Sequence, residues 1–148
     1  MLAGGRGEDK MNFDKEDFKA YLTMIQSIIS RMANNSFLVK GWAMTIISAI
    51  LALAAARGLD NDIYIVAAIV TIAFCFLNCI YLRTERLYRN LYKKVQNEGM
   101  EDLKQVKYFN LDTSECKDKN TRLIRVIMSN SIWPFYSAIL LGVLITAV

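Results

Sequence analysis

Residues Ile63–Leu82 read IYIVAAIVTIAFCFLNCIYL, twenty residues without a charge. At ~1.5 Å per residue, a helix of that length covers the ~30 Å of a bilayer's hydrocarbon core. Tyr64 and Tyr81 stand near its two ends, where amphipathic rings favour the membrane–water boundary. No Gly or Pro follows before the next turns, Arg83-Thr84-Glu85-Arg86-Leu87-Tyr88-Arg89-Asn90-Leu91-Tyr92-Lys93-Lys94-Val95. There Tyr81, Thr84, Tyr88, Leu91 and Val95 recur at steps of three and four, an apolar seam on a charged rod. One helix is therefore expected, crossing a membrane over 63–82 and continuing into water over 83–98.

Composition agrees. Of 148 residues 54% are hydrophobic, and they are gathered into three runs rather than spread along the chain, with a mean hydropathy of +0.24. Histidine is absent, which removes the usual general base, proton switch and commonest metal ligand at once. Cys75 and Cys79 fall in the second run and Cys116 in a polar stretch. This is neither a metal-ligand spacing nor a secreted disulfide framework, and it reads as structural thiols. There is no phosphate-cradling Gly loop or nucleophile elbow either, so neither an enzyme nor a bound cofactor or metal is expected.

Working outward, residues 1–12 begin Gly-rich and polar and read as a disordered or non-native leader, with Met11 an alternative start. Residues 13–35 read as a cytoplasmic amphipathic helix with Phe18, Leu22, Ile25, Ile28, Ile29 and Met32 on one stripe. Asp14, Glu16 and Asp17 suit its positive N-terminal end. Asn34-Asn35-Ser36 reads as a cap or joint, and residues 36–56 as the first span. Lys40, in its first turn beside Trp42, either snorkels to the headgroups, the favoured reading, or marks an ion path. A turn at Arg57–Asp62 with Gly58 leads into the second span. Residues 99–131 read as a cytoplasmic loop in which Gly99 stops the preceding helix, Asp112 and Glu115 form a weak capping box, and Thr121–Met128 is an amphipathic lead-in. Residues 132–148 form a short third span with Pro134 in its first turn.

Basic residues orient the spans. The 83–131 loop carries eleven Lys and Arg, the segment before the first span five, and the connection between the first two spans only Arg57. The N-terminus and large loop are thus expected in the cytoplasm of a bacterial inner-membrane protein, and the C-terminus outside.

The fold expected is an all-α membrane protein with three transmembrane helices. Its second span continues as a long cytoplasmic helix packed on the N-terminal one, with Phe18, Leu22, Ile25 and Ile29 against Tyr88, Leu91 and Val95. Each span carries small residues at intervals of four: Ser48, Ala52 and Ala56; Ala67, Thr71, Cys75 and Cys79; Ala138, Gly142 and Thr146. Such stripes let helices approach closely, within one chain or between copies, or line a lumen; stripes on all three spans favour a homo-oligomer. Asn78 is the only amide within a span and either bonds across helices or contacts a permeant. No span contains Asp or Glu, which excludes the proton relays and ion-coupling sites of pumps and coupled transporters. Arg83, Arg86, Arg89, Lys93 and Lys94 gather where the second span meets the cytoplasm. They suit headgroup phosphates, the favoured reading, or the phosphates of a signalling nucleotide with Tyr88 or Tyr92 stacking its base. The patch is too short and too close to the membrane for nucleic acid.

The run Arg31-Met32-Ala33-Asn34-Asn35-Ser36-Phe37-Leu38-Val39-Lys40-Gly41-Trp42, followed by Tyr81-Leu82-Arg83-Thr84-Glu85-Arg86-Leu87-Tyr88-Arg89-Asn90-Leu91-Tyr92, resembles a group of small bacterial membrane proteins. These share R-M-A-N-N-S-F-x-x-K-G-W and Y-L-R-x-E-R-L-F/Y-R-x-L-Y, and Ile132-Trp133-Pro134-Phe135-Tyr136 fits them too. In architecture the two spans with a cytoplasmic helix are further similar to SLATT-type domains, from which the third span departs. That resemblance implies a membrane effector in nucleotide-triggered antiviral defence and brings no catalytic residues; the motif of the first group marks Asn34, Asn35, Lys40, Trp42, Arg83, Glu85 and Arg86 for scrutiny. The function expected is an oligomeric effector that permeabilises or perturbs the membrane on a trigger from a cytoplasmic sensor protein or nucleotide. The rival is a non-conducting anchor or adaptor docking a cytoplasmic protein.

Overall fold

In the computed structural model, residues 5–57, 62–103, 106 and 109–147 are described, over 5–14 as helical backbone alone. Four helices account for most of them: α1 (Gly5–Arg57), α2 (Asp62–Glu101), α3 (Leu123–Ile127) and α4 (Trp133–Ala147). Two 3-10 turns, Ser114–Cys116 and Lys119–Thr121, precede α3. No strand occurs among the described residues. α1 and α2 are each long and apolar enough to cross a membrane.

α1 and α2 lie side by side as one antiparallel hairpin, and a single seam explains both. On α1 the buried positions are Tyr21, Ile25, Ile29, Ser36, Val39, Ala43, Ile47 and Ala54; on α2 they are Ala67, Thr71, Asn78, Cys79, Glu85, Leu91 and Val95. Steps of three, four and seven on α1, and of four, six and seven on α2 with Cys79 set aside, keep such positions facing one partner, much as in a coiled coil. The chemistry changes along the seam. At the polar end Tyr21, Ile25, Ile29, Leu91 and Val95 form a cluster with Val106 and Cys116, and water drives the burial of such bulky groups. In the apolar half small and weakly polar residues (Ser36, Ala43, Ala54, Ala67, Thr71) take over. Where lipid supplies no hydrophobic force, close backbone approach is what remains to hold helices together.

Three local expectations are corrected here. The cap or joint at Asn34–Ser36 is continuous helix. Asn and Ser lose only ~0.5 kcal/mol each in helical conformation, less than the packed seam on either side supplies, and the Ser36 hydroxyl is turned into the seam to donate to Asn78 Oδ1. Likewise the leader expected over 1–12 is helical from Gly5, and residues 1–4 lie outside the described residues, as does Gly58. α2 also runs through Gly99 to Glu101. This glycine is a packing site rather than a stop, because a Cβ there would collide with the Phe18 ring.

α4 leans mainly on α2 and only lightly on α1. Ile132, Tyr136 and Val143 join Val126 of α3 in a second buried cluster with Ala43, Ile47, Ala67 and Cys79. The Tyr136 hydroxyl donates to the Phe74 carbonyl at 3.2 Å. With fifteen residues, α4 is shorter than the ~20 typical of a span.

Candidate functional site

The polar end of the hairpin carries the basic residues, and the structure sorts them by what they already hold. Arg83 Nε donates to the Thr121 carbonyl at 3.1 Å and Arg86 Nη1 to the Asn120 carbonyl at 2.8 Å. Asn90 Nδ2 donates to the Cys116 carbonyl at 3.0 Å, and Lys94 pairs with Glu115 at 2.6 Å. This contact raises the Lys94 pKa. These side chains staple residues 115–121 along α2. The segment is itself pre-shaped. Asp118 accepts from the backbone N–H groups of Asn120 and Thr121, and Thr121 returns a bond to the Asp118 N–H. The capping box thus sits at Asp118–Thr121; Asp112 instead accepts from Ser114, which holds its carboxyl below the usual range.

Stapling leaves a groove of about 470 Å³ between α2 and the segment leading into α4, lined by Arg86, Arg89, Lys93, Asp118, Asn120, Arg125, Ser129 and Asn130, among others. Arg89 is balanced by Glu85 at 2.7 Å. Lys93 has no ion-pair partner among the described residues. Arg125 reaches only the Asn120 side chain, at 3.3 Å. Asp118 turns its carboxylate to backbone N–H groups. The balance in the groove is therefore positive. Tyr88 and Tyr92, either of which would stack a base in the less favoured nucleotide reading, pack against the Tyr21–Ile25–Leu91 cluster. Arg83 and Lys94 do not line the groove.

The junction residues do not converge on one cavity. Asn34 is exposed and Asn35 half-buried. Lys40 Nζ donates to Ser131 Oγ at 2.8 Å and lies 6.0 Å from the centre of the Phe135 ring, tying α1 to the start of α4. Glu85 is buried against the hairpin. Trp42 and Trp133 are 60% and 62% exposed, one at the start of each apolar segment. Asn78 is fully buried; it accepts from Ser36, and its amide nitrogen has no hydrogen-bond partner among the described residues.

The small-residue stripes divide in two. Ala67, Thr71 and Cys79 are shut inside the hairpin seam and Cys75 is half-buried beside them. Ser48, Ala52 and Ala138 stay exposed. Ser48, Ala138 and Gly142 line an outward apolar cleft of about 300 Å³ between α1 and α4.

Among the described residues no group of three or more His, Cys, Asp or Glu converges as a metal site would require. Arg125, Ser129, Asn130 and Tyr21 were not singled out by the sequence as site residues. Arg125 and Ser129 stand about forty residues from Arg86 along the chain and meet it only through the loop's path. The step of four from Tyr21 to Ile25 and Ile29 was the signal available for the tyrosine. Compared with protein-family models, curated proteins and solved structures, the chain finds no match.

Proposed function

We propose that this chain is an oligomeric inner-membrane effector that permeabilises or perturbs the bilayer in response to a cytoplasmic trigger. In this reading α1, α2 and α4 are three spans, the polar head and the loop lie in the cytoplasm, and the C-terminus lies outside. The observation that carries it is the unbroken passage of α1 and α2 from the head cluster into their apolar halves along one seam. Helices without a joint hold head and spans in one frame, so a partner or ligand bound at the head or its loop can bias how the third span packs on that frame. The exposed Ser48, Ala52 and Ala138 offer a second copy a close-packing face. An antiviral role rests on the resemblance to SLATT-type proteins.

One observation favours the rival, a non-conducting anchor or adaptor. The most polar spanning residues, Thr71 and Asn78, are both 0% exposed, so α2 offers no polar stripe to a lumen. A pore would have to use the outer face of α1 and α4. Leakage of ions and dyes from liposomes holding the purified full chain, with its detergent-corrected mass measured on the same sample, separates the two. Leak from a defined oligomer, weakened by Ala138→Leu, is the expected result. Liposomes that stay tight at every protein density, holding a monomer, would overturn the effector reading.

A further inference from the structure

The groove between α2 and the entry to α4 has a feature its staples do not explain. Arg86, Arg89, Lys93 and Arg125 converge on it, yet one acid, Glu85, balances one of them, and Asp118 is engaged by backbone. Beside the groove the Ser129 hydroxyl is shut away from solvent, with no hydrogen-bond partner among the described residues. Three guanidinium groups and an ammonium around one space outnumber the two carboxylates beside them, Glu85 and Asp118, and leave it net positive. An oxyanion with several acceptor oxygens answers it, and phosphate is matched best by the planar fork of arginine.

Depth selects the source of the phosphate. Arg86 lies four residues beyond Leu82, about 6 Å along a helix axis, and the polar layer of a bilayer leaflet is ~5–8 Å deep. Ile124 and Met128, next to the groove, are 75% and 72% exposed, and Trp133 follows them. Apolar and indole side chains left outward at this level belong at the headgroup–acyl boundary. The groove offers no aromatic face to a nucleobase. We propose that it holds the phosphate of an anionic lipid headgroup entering from the inner leaflet, between α2 and the loop. The proposal requires the chain to be membrane-inserted but not that it conducts, so a leak assay and the binding test below fail independently.

The test titrates short-chain phosphatidic acid and phosphatidylglycerol into the full chain in zwitterionic detergent, with ATP and inorganic phosphate as the soluble arms. Saturable lipid binding is expected, weakened at least tenfold in the Arg86→Gln/Arg125→Gln double variant. Lys119→Gln, which removes a charge of the same sign outside the groove, should change affinity less than twofold. Because Arg86 and Arg125 also touch Asn120, Lys93→Gln is the second variant. It makes no such contact and should still weaken lipid binding about threefold. Lipid binding equal in wild type, the double variant and Lys93→Gln would overturn the proposal. So would an equal loss in Lys119→Gln, or saturation by ATP or phosphate but not by lipid.

Discussion

If the bulky end of the seam locks the head, removing one buried side chain there should open it measurably. Leu91 is 5% exposed and shares its cluster with Tyr21, Ile25, Ile29 and Cys116. Replacing a buried leucine by alanine costs ~2–5 kcal/mol, through lost transfer energy and the cavity left behind. A middle value of ~3 kcal/mol at ~1.4 kcal/mol per decade raises the open population about a hundredfold in Leu91→Ala. Cys116 supplies the readout. Its thiol is buried in the same cluster, and the loop that carries it is held to α2 by Asn90 and Lys94. When reclosing outpaces reaction, alkylation follows the equilibrium population of the open state, as proteolysis does. The assay is the rate at which a charged, membrane-impermeant maleimide modifies the Cys116 peptide, followed by mass spectrometry on the full chain in liposomes. Leu91→Ala should accelerate it by about two decades. Ile69→Ala, on the outer face of the apolar half and 61% exposed, should leave it within twofold. Equal rates in wild type and Leu91→Ala, or equal acceleration by both variants, would refute the packing argument.

Two further outcomes follow from the seam. Burial pushes up the pKa of both Tyr21 and Cys116, with the negative charge of Glu98 adding for Tyr21 and the positive charge of Lys94 opposing in part for Cys116. The folded head therefore favours their protonated forms. Their contribution to stability is complete below the unfolded values, ~8.5 for a thiol and ~10 for a phenol, and is lost as pH rises through the folded ones; proteolysis of the 109–121 segment should accelerate from pH 7 to 10, Cys116→Ala should delay the onset, and a flat profile would count against it. In the apolar half, a Ser36→Ala/Asn78→Leu cycle read by unfolding in mixed micelles should give a coupling of ~0.6 kcal/mol and not above ~1.7; zero coupling would refute the cross-helix bond.

Periodicity made the long helices legible, because a stripe at steps of three and four survives whatever the partner is. Leu91 and Val95 could be marked from spacing alone, as could Ile25 and Ile29. Asn34–Ser36 misled for a local reason. Asn and Ser are good caps by propensity, and only the partner helix shows that Ser36 has a seam acceptor in Asn78. Gly99 misled similarly: a helix stop and a close contact both call for a missing Cβ, and which applies depends on Phe18, some eighty residues away in sequence. The basic cluster was legible as a surface but not as a site. Composition does not show that Arg83 and Lys94 serve as staples while Arg86, Arg89 and Lys93 border a groove, since the partners sit in an irregular loop with no period to read.

The two sets of contacts that hold the hairpin and the loop differ in strength. The hairpin seam is continuous, and at the head, where its buried residues are bulky and apolar, parting it costs several kcal/mol per buried side chain. The loop is held to α2 by side-chain contacts at Asn120, Thr121, Cys116 and Glu115. The exposed ion pair among them belongs to a class worth ~0–1 kcal/mol, and the hydrogen bonds to a class worth ~0.5–1.5 kcal/mol each. A ligand with ordinary affinity can outweigh the second set but not the first. The loop also runs directly through α3 into α4, whose start is tied to α1 by the Lys40–Ser131 bond. In the effector reading, then, the hairpin is the fixed frame and α4 the moving span. A phosphate in the groove, bridging α2 to Arg125, would hold α4 in place, and its loss would release it. That order is opposite to one in which the head opens first. It makes the Lys40→Ala variant informative: if α4 is the moving span, loosening its tie should raise liposome leak while the Cys116 alkylation rate stays at its wild-type value, whereas a rise in both together would mean that the hairpin itself opens.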